Sequence, residues 1–150
     1  MHVLRAAAVA VMLLGMSACS GSTTGSKILG AGTSLGQCQP GTQVQLAQPT
    51  QGQTVTQPVG GVFIVANGVN NILYQSYQDW WLVAQDSSGN VVTGLRLVLI
   101  PSANAPSVPQ PYPSNTYYFS QFGGLLTGTT YTIFLTVSGC QGENVGSFST

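Results

Sequence analysis

The sequence predicts an all-β domain, a sandwich or a barrel, and three observations carry that expectation. Short apolar or alternating runs recur from Cys38 onward, separated by clusters of Gly, Pro, Asn and Ser, which is the pattern of strands joined by turns. No apolar run with a helical period appears among them. The chain has 150 residues, and once a leader and a tether are set aside roughly 110 remain, enough for one such core and too few for two.

The chain opens on a segment outside that domain. Arg5 forms a positive start, an apolar run follows from Ala6 to Leu14, and Ser17 and Ala18 are small, so residues 1–18 read as a secretory signal peptide. The run is shorter than the about 20 residues that a membrane-spanning helix needs, and no second apolar stretch follows it. Met16, Ser17, Ala18 and Cys19 resemble the lipobox of bacterial lipoproteins, with Met16 where leucine is usual. That resemblance implies diacylation of Cys19, which becomes the mature N-terminus and anchors the chain to the membrane without spanning it. Several acyl chains together hold a protein stably on a bilayer. Ser20 stands where an aspartate would signal inner-membrane retention, so the resemblance favours the outer membrane or cell surface of a bacterial envelope. The segment 19–37 is rich in Gly, Ser and Thr and is expected to be a flexible tether with a reach of roughly 20–25 Å.

The domain is expected over residues 38–150. With Cys19 lipidated, Cys38 and Cys140 remain as an even pair in an exported chain, where disulfides form and persist. Bonded to each other they form a structural staple, because neither has the CxxC spacing or the basic neighbour of a redox pair. Thr42 to Ala47 places Val44 and Leu46 on one face, and Val62 to Ala66 makes a second strand between glycine-rich turns. Asp79 to Gln85 is a third strand, ended by the turn Asp86-Ser-Ser-Gly-Asn90, from which Val91 and Val92 return as a hairpin. Leu95, Leu97 and Leu99 alternate with Arg96, Val98 and Ile100, which predicts a leucine face on the core and an Arg96 face in solvent. The stretch from Pro101 to Asn115 is too rich in proline for a sheet interior and reads as a long, partly extended loop. Tyr117 to Gln121 resumes as a strand.

Thr130 to Ser138 gives the cleanest alternation, with Tyr131, Ile133, Leu135 and Val137 against Thr132, Phe134 and Thr136. Leu125-Leu-Thr-Gly-Thr-Thr-Tyr131, followed by this strand, resembles the turn-plus-strand signature of fibronectin type III and related immunoglobulin-like domains. Leu125, Gly128, Thr129 and Tyr131 match it, and Thr127 stands where proline is usual. The resemblance implies an immunoglobulin-like antiparallel β-sandwich. It also implies a tyrosine corner at Tyr131, with the ring in the core and the hydroxyl on upstream backbone. Gly146 to Thr150 would be the last strand.

The chemistry available is sparse. Only 4% of residues are charged, three basic and three acidic, too few to form the cationic surface that phosphate backbones require. No nucleic-acid partner is expected. The sole histidine, His2, lies in the signal peptide, and Asp79 and Asp86 flank one strand of about 20 Å instead of facing each other across a cleft. A noncatalytic domain without metal or other cofactor is therefore expected, and Asp86 and Asn90 read as a turn. Aromatic residues remain. Of adjacent Trp80 and Trp81 one should enter the core and the other face outward. Trp80, Trp81, Tyr77 and Tyr118 are accordingly the candidate contacts for a glycan or a protein partner, with Tyr74 and Tyr112 nearby. The expected role is a structural, adhesive or protein-interaction element of the envelope, with the strand Val145–Ser149 or the one near Cys38 as the pairing edge. The alternative is carbohydrate binding at the outward tryptophan.

Overall fold

The computed structural model describes residues 38–107 and 111–150. The expected signal peptide, the expected lipidation site Cys19 and the expected tether lie outside the described residues, as does part of the proline-rich loop, 108–110. Eight strands, β1 (Val44–Gln48), β2 (Gly61–Asn67), β3 (Trp80–Asp86), β4 (Val91–Arg96), β5 (Val98–Ile100), β6 (Asn115–Gln121), β7 (Thr130–Val137) and β8 (Glu143–Ser149), form the fold. They make two antiparallel four-stranded sheets, in the orders β1-β2-β6-β5 and β4-β3-β7-β8. With the strands lettered in sequence, this is ABED facing C′CFG, the strand order of an immunoglobulin-like sandwich.

Strand periodicity builds the core. β7 sends Tyr131, Ile133 and Leu135 inward, its partner β3 sends Trp80, Leu82 and Ala84, and Leu46, Val62, Ile64 and Tyr118 meet them from the other sheet. The continuous apolar run of β2 reflects burial on both faces. Its Val65 points away from the main core into a second cluster with Ala47 and Tyr117, against which Phe63, Ile100, Ala105 and Tyr112 pack. Ala105 and Tyr112 belong to the proline-rich loop, which therefore covers the outer face of the first sheet. Cys38 and Cys140 are bonded, with Cα atoms 5.3 Å apart, across 102 residues of chain.

Two expectations about the elements themselves are corrected. Between β2 and β3 lies a short helix, α1 (Ile72–Ser76), followed by a 3₁₀ turn over Tyr77–Asp79. Asn71 caps α1 by accepting from the Tyr74 amide at 2.8 Å, and one turn and a half is too short to register as a periodic pattern. The leucine face of residues 95–99 also breaks up. Leu97 is buried, but Leu95 is 63% exposed, because the run is two strands belonging to different sheets. The pairing of β3 with β4 shifts between Trp81 and Val83, and the bulge rotates Leu95 outward.

The two sides of the sandwich close differently. Where β1 and β8 lie, the segment 51–55 runs along the outer edge of β8. The Gly52 amide donates to the Ser147 carbonyl at 2.8 Å, the Val55 amide to the Ser149 carbonyl at 2.8 Å, and the Ser149 amide to the Gln53 carbonyl at 2.9 Å. The Ser147 amide donates to the Gln51 side chain at 2.8 Å. Residues 145–149 are therefore already paired, and the expectation of a free edge there is corrected. On the opposite side β4 and β5 are outermost in their sheets, joined through Leu97, whose amide donates to the Trp80 carbonyl at 2.8 Å.

Candidate functional site

The adjacent tryptophans separate as a strand requires. Trp80 is 1% exposed, with its indole N–H donating to the Ser76 hydroxyl at 3.3 Å. Tyr118 is fully buried and stacks at a tilt against Tyr77, ring centres 5.8 Å apart. Trp80 and Tyr118 thus lie in the core, beyond reach of a glycan or a partner, which corrects their candidacy. Tyr118 falls on the same face of its strand as Ser120 and Thr116, and all three are buried. Polar neighbours disguised that inward face. Burial, and then the nearby Tyr74 and Tyr77, hold the Tyr118 phenol protonated well above the ordinary tyrosine range.

Trp81 is half-buried on the outer face of the second sheet. It pairs across strands with Arg96, whose guanidinium lies 4.2 Å from the indole centre and also donates to the Asp79 carbonyl. A cation over an indole face is attracted by the ring quadrupole, and here it occupies ring surface that a sugar would use. Tyr77 is half-buried at the 3₁₀ turn, at the same end of β3.

The acidic groups do not form a catalytic set. Asp79 and Asp86 bracket β3, separated by about 20 Å of extended chain. The Asp86 carboxylate accepts from the Asn90 side chain at 2.7 Å and from the Ser88 and Asn90 amides at 2.8 Å. These bonds, the Asn90 side chain first, hold it below the ordinary carboxylate range. They define a turn whose carboxylate is spent on the chain's own donors. Glu143 is partly buried at the start of β8, its Oε2 lacks a hydrogen-bond partner, and burial raises its pKa. Among the described residues no group of three His, Cys, Asp or Glu is placed to hold a metal. Clefts of about 450 Å³ beside the proline-rich loop and about 380 Å³ between β1 and β8 are lined without a charged side chain.

Tyr131 is 2% exposed, and its hydroxyl accepts from the Leu126 amide at 3.0 Å, a side chain from the core tying down the loop that precedes its own strand. Among the described residues the larger apolar side chains left in solvent fall in three places. Val91, Leu95 and Val98, exposed by 46%, 63% and 54%, line the β4–β5 side. Val69, in the turn after β2, and Ile72, the first residue of α1, sit at one tip, and Leu126 precedes β7. Sequence alternation placed Val98 on the solvent face but missed Leu95 as a surface residue, because the switch of sheets at Leu97 leaves no local mark. Comparison with protein-family models, with curated proteins and with solved structures finds no match to this chain.

Proposed function

We propose that the chain is a noncatalytic module, anchored by lipid at Cys19 to the outer membrane or surface of a bacterial cell envelope, that holds another envelope protein by strand addition on its β4–β5 side. The signal-peptide pattern and the lipobox resemblance support the address. The turn-plus-strand resemblance to fibronectin type III domains agrees with the Tyr131 hydroxyl bond to Leu126. One observation carries the binding mode: the outermost strands β4 and β5 carry Val91, Leu95 and Val98 in solvent, whereas on the opposite side residues 51–55 pair with the outer edge of β8 and β1 exposes no large apolar side chain. An edge strand supplies main-chain donors and acceptors for an added strand, and exposed side chains beside it supply the apolar contacts. A nearly uncharged surface opposes such approach little. The partner expected is an extended, apolar segment.

The test places a photo-crosslinking side chain at Leu95, at Val98 and, as a control, at Leu126 of the full chain in its native envelope. A discrete adduct at Leu95 and Val98, absent at Leu126 and lost when Val91 is replaced by Glu, is the expected result. Equal labelling at all three positions, or none, would overturn the reading.

Trp81 supports a second reading, glycan binding. Its half-buried indole lies on the outer face of the second sheet, and a sugar stacking on it would displace Arg96 from the ring. Titration of tryptophan fluorescence with peptidoglycan fragments and soluble polysaccharides decides it: a saturable shift, removed by Trp81→Ala, would place the function there instead.

A further inference from the structure

The end of the sandwich at which the chain enters is built differently from the other end. The segment 38–43, which brings the chain in from Cys19, is fixed to the region between β2 and α1. The Leu73 amide donates to the Pro40 carbonyl at 3.0 Å and the Asn67 amide to the Gln43 carbonyl at 3.0 Å. Gly41 has φ +70°, and a Cβ there would lie 3.3 Å from the Ile72 nitrogen, so the entering chain passes directly beside Ile72. The Cys38–Cys140 bond fastens the same point to the turn after β7.

The tip beside this entry is apolar and held in place. Val69 is 53% and Ile72 36% exposed. The turn that carries Val69 is pinned, because the Gly68 carbonyl accepts from Thr116 Oγ1 at 2.9 Å and the Gly68 amide donates to the Ser114 carbonyl at 2.9 Å. From Cys38 to Gln78 the sequence contains no Asp, Glu, Lys or Arg, so bringing this end against an apolar phase strips water from no charge on that segment.

We infer that this tip, with Val69 and Ile72 foremost, rests in the interfacial layer of the membrane that holds Cys19, so that the domain stands on the bilayer with its Leu126 end outward. The inference rests on the lipid-anchor reading. The length of chain between the anchor and the entry point selects the occupant. Residues 20–37 separate Cys19 from Cys38, and a chain of that length and composition has a root-mean-square reach of roughly 20–25 Å. A tether of that reach would hold the tip at an effective concentration of about millimolar near the surface, and Val69 and Ile72 would add apolar area to the contact. Leu126 is as apolar and more exposed, at 65%, but it lies at the far end of β7, away from the tether.

The experiment uses the full lipidated chain, purified from membranes and reconstituted into phosphatidylethanolamine and phosphatidylglycerol vesicles containing phospholipids brominated in their acyl chains. Val69→Trp and Leu126→Trp are compared by difference spectra against the unsubstituted chain. The expected result is a blue shift and loss of the added fluorescence for Val69→Trp, with neither for Leu126→Trp. If the chain floats with the vesicles but the two variants are quenched alike or not at all, the tip inference is overturned and the anchor reading stands. If Cys19 carries no acyl mass and the chain does not float, the anchor reading fails and takes this inference with it.

Discussion

The two sides of the sandwich pose the same physical problem, an outermost strand with unpaired amides and carbonyls, and the chain answers it in opposite ways. On the β1–β8 side the segment 51–55 turns back along β8, pairs with its backbone and places the Gln51 side chain on Ser147. On the β4–β5 side the chain passes from one sheet to the other through Leu97 and leaves both outer strands with apolar side chains in water. Edge strands are usually protected by charge, proline, bulges or cover. The β4 edge has one bulge and Arg96, and Arg96 is drawn back over Trp81. With β8 covered, the edge strands that carry large apolar side chains in solvent are β4 and β5.

The closed side should be where substitutions unfold the protein. Largest is the effect of removing the disulfide: Cys38→Ala with Cys140→Ala reopens 102 residues of chain, a loss of about 4–5 kcal/mol in the loop-entropy account. Urea unfolding of this variant, and of the oxidised protein with and without dithiothreitol, measures it. A midpoint unchanged by reduction would show that Pro40, Gln43 and their partners hold the entry segment without the bond.

Next is Gly146→Ala on β8. Gly146 has φ +141°, and a Cβ there would lie 2.5 Å from Gln51 Oε1 and 2.8 Å from Leu46 Cδ1. Since both the covering segment and the core press on this position, a loss of about 1–3 kcal/mol is expected from overpacking, read as a lowered urea midpoint. Gly124→Ala is the control, because Gly124 also has positive φ, +87°, but nothing lies within 4 Å of the added carbon. A loss at Gly124 as large as that at Gly146 would mean that backbone conformation, and not close packing under the strap, sets the cost.

The open side should respond in the reverse sense. Leu95→Lys replaces a side chain 63% exposed, so stability should stay within about 0.5 kcal/mol while the crosslink at Val98 disappears. Arg96→Ala should cost about 0.5–1 kcal/mol through the lost contact with Trp81 and shift the tryptophan emission. A clear destabilisation by Leu95→Lys would place Leu95 in the fold's own packing and remove the basis for a docking edge.

How much of this was legible in the sequence depends on whether the determinants were local. β7 could be read from its alternation, and the turn after β3 from Asp86 to Asn90, because strand period and turn chemistry are set within a few residues. The Cys38–Cys140 pairing followed from setting Cys19 aside as the expected lipid anchor, which leaves two cysteines. The division of Leu95 to Ile100 between two sheets was not legible, since register against Trp81 and Val83 decides it from elsewhere in the chain. Nor was the cover over β8: residues 51–55, Gln-Gly-Gln-Thr-Val, show no strand pattern, and they pair through backbone atoms that no side chain advertises. The candidate contacts failed for the same reason at Tyr118, whose burial is fixed by Tyr77 and the facing sheet.

The smallest effect expected probes what closure costs. Glu143 begins β8 on the closed side, partly buried, with Oε2 lacking a hydrogen-bond partner, and its charge also raises the pKa of Tyr112, after burial, in the proline-rich loop. Burial raises the Glu143 pKa above its ordinary 4.5. Between the unfolded and the raised folded value the folded protein therefore holds more protons than the unfolded chain, and stability falls as pH rises through that window. The contribution is fully present below the unfolded value and is lost above the folded one. Glu143→Gln removes the ionisation, so the variant should unfold at a higher urea concentration than the parent at neutral pH, with the difference shrinking as the pH is lowered through the carboxylate range. A glutamine variant no more stable than the parent at neutral pH, with the same slope below it, would show that the Glu143 carboxylate is solvated as charge and that sealing β8 leaves no ionic penalty behind.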